Sequence, residues 1–117
     1  MRLHEIIFTD AVPIDGYGPG FFRISGQVIR GNVLILPAGV TGWTGYEETD
    51  PLIEAAADID VLFVGTGAQI THLPETFRTS LEDAGIGVEP MATPPACRTY
   101  NILLSEGRRV GVALISV

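Results

Sequence analysis

The sequence predicts an α/β domain in three layers, with a β-meander beside an α/β core. Three observations predict it. Short apolar runs broken by glycine turns fill the first third of the chain. Residues 61–64 (Val-Leu-Phe-Val) are apolar at every position and run into Gly65-Thr66-Gly67, which reads as a strand covered on both faces and a turn out of it. Residues 110–117 are the most apolar segment, broken only by Gly111 and Ser116, which marks an interior strand. The resulting element order is β-β-β-α-β-α-β-α-β.

The meander is read at 21–24, 27–29 and 33–36. Ser25-Gly26 and Arg30-Gly31-Asn32 form its turns, and Pro37 stops the third strand because proline cannot donate to a ladder. After the break at Thr41-Gly42-Trp43-Thr44-Gly45, Asp50 caps a short helix with Pro51 at its first position, and Asp58-Ile59-Asp60 ends it. The strand at 61–64 follows. Residues 74–84 read as a helix whose Leu73, Phe77, Leu81 and Ala84 share one stripe, with Gly85 as its stop. Arg78 is spaced for surface pairs with Glu75 and Glu82. Residues 86–89 are the next strand. Thr93 caps a third helix that carries Pro94 and Pro95 in its first turn and an Ala96, Tyr100, Leu103 stripe, with Gly107 as its end. Arg108 and Arg109 lie just past that end, where cations complement the helix dipole.

The chain has 117 residues, which suits one domain spanning 1–117 with a core of its own. Its 46% hydrophobic and 18% charged residues argue against disorder. Cys97 is the one cysteine, so no internal disulfide forms and a cytoplasmic setting is expected. Residues 1–5 lack an apolar stretch of signal-peptide length, and no window approaches the ~18 apolar residues of a membrane span. A net charge of −7, with seven arginines and no lysine, disfavours nucleic acid and anionic membranes as partners. The missing lysine also excludes a lysine Schiff base and a P-loop lysine.

Gly65-Thr66-Gly67-Ala68-Gln69-Ile70, with Glu89 22 residues after Gly67, superficially matches a dinucleotide fingerprint. Ile70 takes the third glycine position and the helix starts late, near Pro74; both oppose that match. A tight turn remains, or a nest of backbone N–H groups for a simple anion. The candidate crevice for a small anionic ligand joins Gly65, Thr66 and Gly67 to Thr93, Arg98, Thr99 and Asn101. Cys97 beside Arg98 near a helix start is a candidate low-pKa thiol, but catalysis needs a base, and the histidines are His4 and His72 only. Burial of Cys97 as a small hydrophobe is the stronger reading, so no catalytic residue is assigned. One cysteine and two distant histidines fall short of a zinc set. Glu47, Glu48 and Asp50 read as a solvated loop with a helix cap rather than a hard-cation site, so no metal and no cofactor are expected. Trp43 and Tyr46 are either core under a glycine-rich loop or an exposed contact patch, and in the second case they are the candidate interaction surface.

The C-terminal third carries a specific pattern: Gly85-Ile86-Gly87-Val88-Glu89-Pro90-Met91-Ala92-Thr93, then Ala96-Cys97-Arg98-Thr99-Tyr100-Asn101-Ile102-Leu103-Leu104, then Glu106-Gly107-Arg108-Arg109-Val110. With 17–26 (Tyr-Gly-Pro-Gly-Phe-Phe-Arg-Ile-Ser-Gly) and Gly65-Thr66-Gly67, it resembles an uncharacterised domain family. That family includes the third mitochondrial complex I assembly factor and the adipogenesis-associated MTH-type domain protein. The resemblance runs from about Ile14 to Val117. Ala92 stands where the family often has an acidic residue, so no carboxylate role is carried there. The resemblance implies a five-stranded central mixed sheet whose last strand is interior and antiparallel to the rest. It implies a non-enzymatic interaction or assembly module, with a protein partner in membrane-complex assembly or protein export. The alternative is a small-anion binder or enzyme using the Gly65-Thr66-Gly67 crevice.

Overall fold

The computed structural model describes residues 6–8 and 11–117. Its elements are β1 (Ile6–Phe8), β2 (Ile14–Gly18), β3 (Phe21–Ile24), β4 (Gln27–Arg30), β5 (Val33–Leu36), β6 (Gly39–Gly42), α1 (Asp50–Glu54), β7 (Val61–Gly65), α2 (Glu75–Asp83), β8 (Gly87–Met91), α3 (Thr93–Ser105) and β9 (Val110–Leu114). The large sheet has the order β1-β6-β5-β9-β7-β8, five strands of four or five residues plus the three-residue β1 at one edge. A second, antiparallel sheet is formed by β2, β3 and β4.

The three layers follow from the two-residue period of the strands. Val110, Val112 and Leu114 of β9, Phe63 of β7 and Val33 and Ile35 of β5 point to one side. There they pack with Ala96, Cys97 and Tyr100 of α3 and with Ile14, Phe22, Ile24 and Ile29 of the small sheet. Ala113, Leu62, Val64, Leu34 and Leu36 point to the other, against Leu52 of α1, Phe77 and Leu81 of α2, and Trp43. Strands so covered are apolar at successive positions, as β5, β7 and β9 are.

Two readings change. The run at 33–36 belongs to the large sheet; β2, with its glycines, supplies the third strand of the meander. Both faces of β5 are buried, a pattern an outlying meander strand does not need. The last strand is interior, but it is antiparallel only to β5 and runs parallel to β7. Helix connections explain this. The β7–α2–β8 step moves outward along the sheet, and the β8–α3–β9 step returns past β7. Right-handed crossovers in opposite directions place α2 and α3 on opposite faces and deliver β9 parallel to β7. Asp50 starts α1 without a side-chain capping bond, and Thr93 lies inside α3 rather than capping it. Pro90, which has no N–H, is tolerated because β8 is an edge strand.

Candidate functional site

The glycine turn lies where β7, β8 and β9 end together, with Gly65 in register with Met91 and Leu114. The start of α3 rests directly on it. A Cβ on Gly65 would come within 2.7 Å of both Leu114 Cδ2 and Thr93 Oγ1, and 3.0 Å of Thr93 Cα. Only glycine admits the helix so closely. Gly67 then turns with φ of 105°, a left-handed conformation that side chains disfavour. Thr93 is fully buried and locks the junction. Its hydroxyl donates to the Ile115 carbonyl (2.7 Å) and accepts the Gly67 N–H (2.9 Å), while its own N–H donates to the Gly67 carbonyl (2.8 Å).

This arrangement engages the donors an anion would need. The Thr66 N–H donates to the Met91 carbonyl at 2.8 Å. The Thr66 hydroxyl has one proton, directed at the Gln69 carbonyl (2.7 Å) with Met91 at 3.1 Å, and it accepts the Thr71 N–H. In the first turn of α3, Pro94 and Pro95 carry no N–H and the Ala96 N–H is bonded to the Ala92 carbonyl. Asn101 faces elsewhere: its amide accepts the Ile14 N–H (2.8 Å) and donates to the Ile14 carbonyl (2.7 Å), fastening α3 to the small sheet. Tyr100 donates its hydroxyl to the Val12 carbonyl at 3.2 Å, two residues before β2. Thr99 is half-buried and Arg98 is exposed on α3. The structure thus brings Gly65, Thr66, Gly67 and Thr93 together as a structural joint, and places Asn101 in a second one.

Cys97 is buried, and that burial pushes its thiol up to about 11 despite the opposing Arg98 charge. A thiol so protonated is no nucleophile at neutral pH. His72 is exposed in the loop before α2, and His4 lies outside the described residues. Burial also raises the Tyr100 hydroxyl above its ordinary range.

Trp43 is only 4% exposed, which removes it from the candidate contact surface. Its ring meets Tyr46 and Phe77 with centroids 5.7 and 6.0 Å away, and Tyr46 meets Phe77 edge-on at 5.0 Å. The indole N–H donates to the Glu48 carbonyl (3.0 Å), and the Glu48 carboxylate accepts from the Thr44 N–H and hydroxyl. Edge-to-face pairing makes this loop a small aromatic core. Tyr46 remains half-buried at its rim.

The cavity that stands out lies elsewhere, between α1 and the β5–β6 hairpin. It measures about 380 Å³. Leu34, Leu36, Pro51 and Ala55 supply apolar walls, Ala38 and Gly39 one lip, and Asp50, Glu54 and Asp58 the other. Those three carboxylates are exposed. After α1 the chain keeps coiling, with the Asp58 N–H bonded to the Ala55 carbonyl, so the four-residue spacing repeats on one side. Among the described residues no group of three or more His, Cys, Asp or Glu is gathered closely enough to hold a metal ion. The sequence reading missed this groove. Its only linear trace is the spacing of Asp50, Glu54 and Asp58; the facing wall of Leu34 and Leu36 comes from a strand 14 or more residues before Asp50.

Residues 14–115 match the model of a family described as protein of unknown function (DUF498/DUF598). The chain belongs to this family. An uncharacterized protein of Rhodobacter capsulatus is 52% identical over 115 residues, 98% of this chain and 93% of that one. NADH dehydrogenase (ubiquinone) 1 alpha subcomplex assembly factor 3 of Danio rerio is 35% identical over 109 residues, 87% of this chain. The chain spans 63% of that protein's length. Among solved structures, an outer membrane protein from Bartonella henselae superposes with a TM-score of 0.88 at 37% identity, covering 94% of this chain and 98% of that one. At that TM-score the Bartonella henselae protein shares the fold that carries the Gly65–Thr93 joint here.

Proposed function

We propose that this DUF498/DUF598 protein is a non-enzymatic interaction module that acts like an assembly factor, holding a protein partner during biogenesis of a membrane or respiratory complex from the cytoplasmic side. One observation carries the reading: the 35% identity to an assembly factor of NADH dehydrogenase extends over 87% of this chain. The interior agrees with it. The candidate nucleophile Cys97 is held protonated, and the polar residues of the glycine turn and of α3 join the layers to one another.

The alternative, a small anion held at Gly65, Thr66 and Gly67 by Thr93, Arg98, Thr99 and Asn101, has less support. The turn's N–H groups already have internal acceptors, and the prolines remove donors from the helix start.

The test is affinity purification of the tagged full chain from native membrane and soluble extracts after mild crosslinking. The expected result is a stoichiometric protein partner belonging to a membrane complex, with the chain itself in the cytoplasmic fraction. Repeated recovery of the chain alone refutes the reading. So does a thermal shift of several degrees with a nucleotide or organic acid, since a specific small ligand raises apparent stability by mass action.

A further inference from the structure

We infer that the groove between α1 and the β5–β6 hairpin is the partner-binding surface, and that its occupant is a protein segment with apolar anchor side chains flanked by lysine or arginine. This rests on the interaction-module reading and adds where the partner binds and what its chemistry is.

The shape and the charge of the groove point the same way. At about 380 Å³ it falls at the small end of ligand pockets, which run ~300–1,000 Å³. Its walls are aliphatic: Leu34 and Leu36 from the sheet, Pro51 and Ala55 from the α1 segment. Such walls reward burial of aliphatic or aromatic side chains. Asp50, Glu54 and Asp58 stand along one lip at a repeat of four, exposed, and no cation among the described residues lies within salt-bridge distance of them. The described basic side chains that do pair are Arg78, with Glu82, and Arg109, with Asp60.

Charge selects among occupants. An anionic lipid surface or nucleic acid would meet three carboxylates and a net charge of −7. A second copy of this chain would bring the same acidic balance and repel. A lone metal ion finds no convergent ligand set among the described residues. A basic amphipathic segment fits both wall and lip: anchors fill the apolar cavity, and arginine or lysine reaches the rim, adding steering and register more than raw affinity. Helix-in-groove and strand-in-groove docking both meet this description.

The experiment is a selection from a random 12-residue peptide display library on the immobilised full chain, followed by affinity measurements and amide chemical-shift mapping. Enriched peptides are expected to carry lysine or arginine around apolar residues and to shift amides of β5, β6 and α1. Their binding should weaken about tenfold or more between low and high salt, because exposed rim charges are screened. It should also weaken roughly tenfold in the D50N/E54Q/D58N variant. Ala38→Trp, on the exposed lip, should block the groove and abolish binding while the fold is unchanged. Enrichment of neutral or acidic peptides, or of none, overturns the inference. Shifts confined to the α3 face near Ile102, or binding undiminished in both variants, also overturn it. The two proposals fail separately. A membrane-complex partner that still binds both variants sinks the groove and leaves the module; groove-binding peptides with no cellular partner do the reverse.

Discussion

The two faces of the large sheet are held by different chemistry. On the α3 side, polar side chains reach backbone groups of distant segments: Thr93 to Gly67 and Ile115, Asn101 to Ile14, Tyr100 to Val12. On the α1–α2 side the contacts are apolar and aromatic, from Leu52, Phe77, Leu81 and Trp43, and the layer stops short of β6 and leaves the groove open. Buried polar contacts fix one geometry, because an unmatched donor or acceptor costs more than a lost contact. Apolar packing fixes less and leaves an edge that another chain can complete. The polar face ties the layers together, and the apolar face carries the open groove.

Substitutions can break this contrast, starting with the largest effect. Phe77→Ala removes the centre of the aromatic cluster and should cost about 3–5 kcal/mol by urea unfolding, lowering order around Trp43 more than around Tyr100. Gly65→Ala drives a methyl group into the Thr93 backbone and should cost roughly 3 kcal/mol, with hydrogen-exchange protection lost first at the start of α3. Thr93→Val keeps the shape but leaves the Gly67 N–H and the Ile115 carbonyl without their hydroxyl, a loss of about 2 kcal/mol that Thr93→Ser should largely avoid. Equal losses from Val and Ser at this position would show that packing, rather than the paired bonds, holds the joint.

The α3 face should also carry an alkaline signature. The Cys97 thiol titrates at about 11 when folded, against 9.0 as its ordinary value. The unfolded chain therefore loses this proton first, and stability present below pH 9 falls as pH rises toward 11. Urea unfolding at a series of pH values should show that decline. Cys97→Ala should flatten part of it, leaving the Tyr100 contribution of the same sign. The smallest effect is expected at the groove. D50N/E54Q/D58N changes exposed groups and should alter stability by less than about 0.5 kcal/mol, as thermal melts would register. A larger loss would mean that the rim belongs to the frame after all.

The sequence was most informative where one residue pattern decided one structure. The run at 61–64 and the helix stripe of Phe77 and Leu81 lie within about one residue of their observed places, and the apolar stretch from Val110 starts where expected but ends as a strand at Leu114, three residues before Val117. The strands β2 and β6 escaped notice because Ile-Asp-Gly-Tyr-Gly and Gly-Val-Thr-Gly lack a period, and pairing rather than propensity makes them strands. The run at 33–36 met the same two-faced criterion as 61–64, but glycine turns tied it to the meander on paper. Among candidate site residues, residue type was a poor guide. Thr93, Asn101 and Trp43 have the chemistry of ligand contacts, yet sequence cannot show that their partners lie in this same chain, up to 87 residues away.

That distance has a consequence for how the molecule is made. The hairpins of the small sheet are local and leave the ribosome early, with the inner face of Ile14, Phe22, Ile24 and Ile29 already assembled. Its cover, and the amide that fastens Ile14, arrive only with α3, and β5 waits still longer for β9. Closing such long loops late makes folding slow relative to local hairpin formation. During synthesis the nascent chain exposes that apolar sheet face until α3 emerges, so the molecule passes through an interval in which its own core depends on protection.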